Sequence, residues 1–530
     1  MTTLTASVTS VLVLSLAGLL PTLAVTGFRL IAIPLVPLSG SVLAAVAATC
    51  FLAVGGSFLS WFIALALIGS IAVAAMWIRF PRRRPWIPTW AQRPEVDRSF
   101  RLAGIGGAMA ILIACVWNLR GLATPTVGFD ARALWLMRSG WFLQSHHQLL
   151  VNMRLQYLSL GQTAYPPLVS AVSALAWRVT GVHSVRLGVV LITILNTCAL
   201  AAAAFAFVEA GRRFSLRLSP GDNASSIDTA SHRPAARHSR RADQRSWALL
   251  APPLIGAICG VLLIFVAFGV TEPFMTNGYA DPIWSLAAVG ALAYGLQMEL
   301  TPANQGIAFI LLLVAGLSKN EGWATAVTLI ALLVVRRLAT MAAEDRRRLW
   351  WHPVAIGAIA VAVVSAWPIV IRVTHSRGTT MPYSPLHDIP GRTRSAFDGM
   401  TPYLHVIVLA APLAILGGIV LSGVRRKCGA ANDWWAWAGL ASGLIAICAG
   451  YATATADIHL WLVGTVDRVT EFSTLAGWWI VAMWALTSSA TPAVMQSVAG
   501  VEGCDSSTDQ PLDGIGDGHG ITQPSAVPAL

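Results

Sequence analysis

Charged residues make up only 11% of this 530-residue chain, against 56% hydrophobic residues and a mean hydropathy of +0.66. So little charge, with apolar residues spread along the whole length, excludes a soluble protein carrying one fused anchor. Lysine is nearly missing: Lys319 and Lys427 are the only two among 36 basic residues. The seven cysteines (Cys50, Cys115, Cys198, Cys259, Cys428, Cys448, Cys504) are scattered, and no pair has metal-ligand or redox spacing. They read as small apolar core residues. MTTLTASVTS carries no basic n-region, so the first apolar stretch is expected to be a retained helix. No repeat at solenoid spacing is present, which excludes stacked-repeat folds.

What is present is a series of long apolar runs. Clear cores are Leu102–Trp117, Leu187–Val208, Ala248–Val270, Trp323–Val335, His352–Ile371 and Leu404–Leu421. Runs of about 17–25 residues span about 30 Å of hydrocarbon. The expected fold class is an all-α integral membrane protein with about 12–14 transmembrane helices and a large first outer loop. Residues 1–100 form N-terminal spans and a basic loop, 101–340 a central core, 341–487 C-terminal spans and outer loops, and 488–530 a disordered tail.

The formal net charge of +12 invites a nucleic-acid reading, but the arginines sit in a few loops. One loop holds Arg79, Arg82, Arg83, Arg84, Arg93, Arg98 and Arg101, and a second holds Arg212 to Arg245. A third holds Arg336, Arg337 and Arg346 to Arg348, and a short one holds Arg425, Arg426 and Lys427. This is the positive-inside pattern of a plasma-membrane protein, with the bilayer and not nucleic acid as its partner. The second loop, over Leu218–Arg245, reads as disordered.

With those loops inside, residues 119–163, Thr271–Asp281, Lys319–Glu321, 372–402 and 454–470 all face outward. Within the first of these, WLMRSGWFL has the amphipathic character of a helix lying along the interface. One step does not close. Two apolar segments, at 164–180 and 187–208, separate the outer loop from the basic loop at 211–246. Either the shorter, Pro-led segment is re-entrant or surface-lying, or the basic loop breaks the rule.

Ionisable residues beside apolar runs cost about 2.5–3.5 kcal/mol each at the bilayer centre, so they mark candidate functional sites. Asp130 is the lone acid of 119–163, flanked by Arg132 and Arg138; it can act as a base, hold a metal, or merely cap the helix that follows. Tyr165-Pro166-Pro167 opens an apolar segment, where a helix-start device is the plainer reading. Asp281 follows Glu272, Asn277 and Tyr279 at another helix start, and capping again competes with proton or metal work. Lys319-Asn320-Glu321 interrupts the run from Ile307 to Val335, keeping a compact ammonium where the chain otherwise uses guanidinium. The plain alternative there is a loop with a mutually neutralising Lys–Glu pair. His387, Asp388, Arg392 and Arg394, and then Asp457, His459, Asp467, Arg468 and Glu471, read first as solvated loop residues. An arginine among them can clamp a lipid-linked phosphate.

In order and spacing, GFDARALWLMRSGWF, YPPLVSAVSALAW, GYADP and SKNEG resemble the GT-C superfamily of membrane glycosyltransferases. Within it, the chain looks similar to bacterial members of the protein O-mannosyltransferase and lipid A aminoarabinose transferase kinds. The resemblance covers about residues 100–340, and beyond them only the outer loop around Asp467-Arg468. It implies transfer of a sugar from a polyprenyl-phosphate donor at the outer leaflet. The acceptor would be a glycan, lipid or protein of the envelope. Asp130 stands in the place of the superfamily's catalytic acid, Asp281 matches its later acidic position, and Lys319 with Glu321 matches a KNEG-type phrase. The paired acids that the family often carries beside the first are missing here, so a divalent metal is possible but not required.

Elementary chemistry agrees with that expectation. A carboxylate base (Asp130) would deprotonate the acceptor hydroxyl, and cations (Lys319, Arg468) would stabilise the departing phosphate. Displacement in one step would invert the anomeric centre. Arg132, Tyr165, Asp281 and Glu321 complete the candidate site. Two other classes compete: a transporter or lipid flippase using the same ionisable residues as a relay near the membrane midplane, and a non-catalytic envelope-assembly protein.

Overall fold

The computed structural model describes residues 2–79, 98–119, 122, 126–155, 163–218, 236–271, 274–376, 388–404, 433–453 and 458–483. Outside these lie the run Leu404–Leu421 beyond Leu404, the loop residues Arg82 to Arg84, Arg93 and Arg425 to Lys427, the acid Glu272, His387 and Asp457, and the expected tail.

No strand occurs among the described residues. The helices are α1 (Thr3–Thr26), α2 (Ala32–Val54), α3 (Phe58–Arg79), α4 (Arg98–Asn118), α5 (Met137–Trp141), α6 (His146–Arg154), α7 (Leu168–Thr180), α8 (Val185–Leu218) and α9 (Ala236–Thr271). They continue with α10 (Asp281–Leu292), α11 (Pro302–Ser318), α12 (Asn320–Thr340), α13 (Ala343–Leu349), α14 (Trp351–Val373), α15 (Ile389–Met400), α16 (Asp433–Thr453) and α17 (Ile458–Val469). A last helix, α18, covers 471–483. Five of the six apolar runs fall inside α4, α8, α9, α12 and α14. α9 begins at Ala236, ten residues earlier than the disordered reading of Leu218–Arg245 allowed, because Ala, Arg and Gln in that stretch are good helix formers.

Among the described residues, eight helices are long and apolar enough to cross a membrane: α1, α2, α3, the 185–211 part of α8, the 254–271 part of α9, α12, α14 and α16. Their surroundings separate them into two groups. The apolar windows of α2 and α8 are 83% buried by protein, whereas that of α3 is 11% buried. On α3, Leu67, Ile68, Ile71 and Ile78 are all more than half exposed. A continuous apolar face of this kind is incompatible with water and suits a hydrocarbon surrounding. This is a multi-pass membrane protein.

The bundle has two distinguishable ends. At one, Arg29 in the α1–α2 turn pairs with Glu209 near the end of α8 at 3.9 Å. At the other, His146 receives the C-terminal end of α2, its Nε2 lying 3.1 Å from the Leu52 carbonyl. The same end gathers 126–155, 163–167, the turn at 274–280, the α11–α12 junction, α15 and α17. Thr163 accepts through its carbonyl from Trp367 Nε1 at 3.0 Å, and the Tyr403 carbonyl accepts from Thr474 at 3.1 Å.

The unclosed step in the sequence resolves at α7. Thirteen residues make about 20 Å of helix, well short of the hydrocarbon thickness. α7 starts beside Tyr165, ends at Gly181 with φ 70°, and hands the chain to α8. There Gly188 packs on Leu136 and Ser173, and Val189 packs on Gly278. α7 therefore joins two points at the same end of the bundle, and α8 alone runs to the other end. WLMRSGWFL needs a correction too. It is a π-turn followed by the short α5, and Trp135, Arg138 and Trp141 are at most 6% exposed, so it is packed into protein rather than laid along a surface.

α11 and α12 are antiparallel neighbours, joined by one extended residue, Lys319. Their approach depends on Gly322. A Cβ there would lie 2.2 Å from the Ala315 carbonyl oxygen and 2.8 Å from the Trp284 Cβ, contacts that backbone cannot yield. Gly322→Ala is expected to destabilise the detergent-solubilised protein by about 1–3 kcal/mol. A thermal-unfolding midpoint equal to that of the unaltered protein would show that the hairpin has slack at this point.

Candidate functional site

The site is built where four chain segments end. α10 opens with Asp281 in its first turn, but the carboxylate caps nothing; no side-chain cap bond is made there. It turns instead to Lys319, whose Nζ donates to Asp281 Oδ1 at 2.5 Å. Lys319 owes its position to the chain break between α11 and α12, where φ −153° and ψ 160° direct an extended residue between two helices. The ammonium is 3.7 Å from Glu321 Oε1 and 5.9 Å from the Tyr165 ring centre. Lys319 is 3% exposed and Asp281 1%. Burial alone would pull the ammonium's pKa down; the carboxylates of Asp281 and Glu321 outweigh it and push it above the ordinary lysine value. The loop pairing of Lys319 with Glu321 thus exists, but the closer partner is Asp281 on another helix.

Asp130 likewise does not cap the element that follows it. A π-turn, Ala131–Leu136, comes next, a wide turn of the kind often found at functional sites. Its carboxylate accepts from Arg468 of α17 at 2.5 Å, across 338 residues of sequence. Arg468 is also 3.8 Å from Asp281 Oδ2 and lies over the rings of Tyr279 and Phe274, at 5.2 and 5.8 Å. Burial lowers the guanidinium pKa, and Asp281 and Asp130 raise it further than that, so Arg468 stays charged. The two GFD and GYADP phrases are tied by backbone. Gly128 N donates to the Asn277 carbonyl at 3.0 Å, and Gly278, at φ 89°, puts a bare Cα against Ala131, where a Cβ would be 2.9 Å from the alanine methyl. A residue with a side chain would be strained there twice over.

The sequence-level candidates therefore separate. Asp130, Tyr165, Asp281, Lys319, Glu321 and Arg468 come together. Arg132 does not: its side chain is exposed and makes no ion pair among the described residues. The arginine that matters in that segment is Arg138, two residues past the π-turn and fully buried. It donates to the carbonyls of Tyr165 at 2.6 Å and Pro166 at 2.7 Å and to Ser170 Oγ at 3.1 Å. It is sandwiched between the Trp135 and Trp367 rings. Arg138 thereby holds the YPP turn and aims Tyr165 at Lys319. α7 still begins directly after Pro167, so YPP is both a helix start and a wall of the site.

Glu471, expected to be a solvated loop residue, is instead buried at 1% exposure. Its Oε2 accepts from Ser285 Oγ at 3.3 Å, one turn along α10 from Asp281. The signal available in sequence was a single acid opening the apolar stretch 472–483, the same signal that singled out Lys319. In contrast, Asp388 caps α15, and Arg394 with Asp398 forms an exposed pair at 3.9 Å, as solvated residues should.

Four carboxylates (Asp130, Asp281, Glu321, Glu471) thus surround two cations (Lys319, Arg468). One oxygen each of Asp281, Glu321 and Glu471 is buried with no hydrogen-bond donor among the described residues. The cluster has acceptors to spare, which a ligand rich in hydroxyl groups would satisfy. No three His, Cys, Asp or Glu side chains among the described residues are arranged to hold a metal ion.

Comparisons with known proteins add nothing to this geometry: no family model, no curated protein and no solved structure matches the chain.

Removing one member of a buried pair leaves the other uncompensated, at a cost of about 3–5 kcal/mol. Lys319→Met is expected to destabilise the protein on this scale. Lys319→Met combined with Asp281→Asn should recover part of the loss, read as unfolding midpoints in one detergent. Strict additivity of the two substitutions would show that the pair is not coupled.

Proposed function

We propose that this protein is a membrane glycosyltransferase of GT-C type, with about 12–14 transmembrane helices. It moves a sugar from a polyprenyl-phosphate donor to a hydroxyl of an envelope glycan, lipid or protein. The reaction takes place at the extracytoplasmic face of the plasma membrane. The observation that carries this reading is the contiguous chain Asp130–Arg468–Asp281–Lys319 at one end of an apolar bundle. A lipid-linked sugar phosphate needs this combination: cations for the phosphate, carboxylates for the sugar hydroxyls and the acceptor proton, and lipid-facing helices for the prenyl tail.

In the step proposed, the acceptor oxygen attacks the anomeric carbon while its proton passes to the Asp130 carboxylate. The bond between the anomeric carbon and the phosphate oxygen breaks, and the polyprenyl phosphate leaves with both bonding electrons. Arg468 and Lys319 offset the negative charge that develops on it. The geometry of a single displacement gives inversion. Asp281 keeps Lys319 and Arg468 charged and in place, and Tyr165 lines the site beside the ammonium.

The competing transporter or flippase reading expects its ionisable residues near the middle of broken helices. Lys319 lies instead at a helix–helix junction, level with the segments that gather at one end of the bundle, which supports the transferase.

Purified protein supplied with a panel of radiolabelled polyprenyl-phosphate sugars is expected to transfer sugar from one of them. Asp130→Asn should lower the rate by about 10²–10⁴-fold, the usual worth of a general base, in a protein that its unfolding transition shows to be folded. Undiminished transfer by Asp130→Asn would remove Asp130 from the chemistry. Lipid scrambling or uptake without transfer would replace the transferase with a transporter.

A further inference from the structure

The proposed roles conflict in one respect. The base and the phosphate ligand are bonded to each other: Arg468 spends its shortest contact on Asp130. A carboxylate oxygen held by a guanidinium is not free to meet the acceptor hydroxyl, and a guanidinium so engaged is a poor anion site.

The burial of the two ion pairs shows which one can open. The side chains of Lys319 and Asp281 are 4% and 1% exposed, so their pair is sealed. Those of Arg468 and Asp130 are 13% and 18% exposed, so a ligand can reach theirs. Arg468 also has a second carboxylate at hand. Asp281 Oδ2 lies 3.8 Å away and carries no hydrogen bond of its own. The Tyr279 and Phe274 rings lie against the guanidinium, and its second nitrogen donates to the Gly464 carbonyl at 3.2 Å. If Asp130 lets go, Arg468 therefore keeps its place and its charge.

We infer that Asp130 is an internal substitute for the donor phosphate: the lipid phosphate takes its place on Arg468, and this exchange releases the Asp130 carboxylate for the acceptor. The base is thus unmasked only when the donor is bound, which protects the donor from premature attack by water. The inference rests on the polyprenyl-phosphate reading of the site. It has a consequence opposite to that of any role for Asp130 in holding the donor. A site closed by its own carboxylate binds more weakly in proportion to the fraction of time it is open. Neutralising Asp130 must therefore tighten phosphate binding.

The test uses farnesyl phosphate as the probe and farnesol as the phosphate-free control, with the full-length protein in detergent. Asp130→Asn is expected to bind farnesyl phosphate about tenfold more tightly than the unaltered protein, equivalent to about 1.4 kcal/mol. Asp130→Glu, which restores the charge, should return binding toward the original value, and farnesol affinity should not move. In an Arg468→Gln background, Asp130→Asn should have no effect on binding. Asp130→Ala serves as a second neutral variant, with unfolding midpoints confirming that each protein is folded. Equal or weaker binding by folded Asp130→Asn and Asp130→Ala, while the unaltered protein still prefers farnesyl phosphate to farnesol, would overturn the exchange and leave the lipid-phosphate reading standing. Failure of every variant to distinguish the two probes would overturn both.

Discussion

The ion pair between Lys319 and Asp281 is the constraint around which the rest of the site is arranged. An ammonium sealed at 3% exposure among apolar helices is tenable only with a carboxylate on it, and Asp281 supplies one from the first turn of α10. The pair fixes the α11–α12 junction against α10, and the remaining Asp281 oxygen faces Arg468. Arg468 then reaches Asp130, so three cation–anion contacts in a row join four separate parts of the chain. These charges lie where helices end, at the end of the bundle away from Arg29 and Glu209. This is the setting in which a substrate with an ionic head and an isoprenoid tail can be held without dehydrating its whole length.

Around that centre the fold provides rigidity of two kinds. Arg138, fully buried, ties the first loop to the YPP turn through the Tyr165 and Pro166 carbonyls and two tryptophan rings. The contact of α17 with the first loop is of the other kind, made by one ion pair that is partly open to solvent. A buried wall and a contact open to exchange are thus built from the same first loop. Glu471 and Ser285 stand behind Asp281 and extend the polar layer into the bundle.

The helices were legible because each apolar run is long enough to be read by composition, and the runs around α4, α8, α9, α12 and α14 fell where expected. The gathering of Asp130, Asp281, Lys319 and Arg468 at one end was legible from the alternation of basic loops. Their roles were not. A capping Asp and a site Asp occupy the same position at a helix start, and only the partner, 338 residues away for Asp130, tells them apart. Arg132 and Arg138 are equally plausible by spacing. Arg132 lies within the π-turn and faces outward, whereas Arg138 follows it and is buried in the core. α7 defeated the parity of crossings because a buried helix of 13 residues and a short span have the same composition. Glu471 is not legible as a site residue because a single acid near other loop charges looks solvated until α18 is packed against α10.

The central claim is that the cations of this cluster receive a lipid-linked phosphate. Electron cryo-microscopy of the protein in lipid nanodiscs containing a polyprenyl phosphate tests it most directly. The account expects phosphate density within hydrogen-bonding distance of Arg468, on the side of Lys319, with the Asp130 carboxylate turned away and the isoprenoid chain leaving between helices. Phosphate density at the opposite end of the bundle, with the Asp130–Arg468 and Asp281–Lys319 pairs both intact, would contradict it.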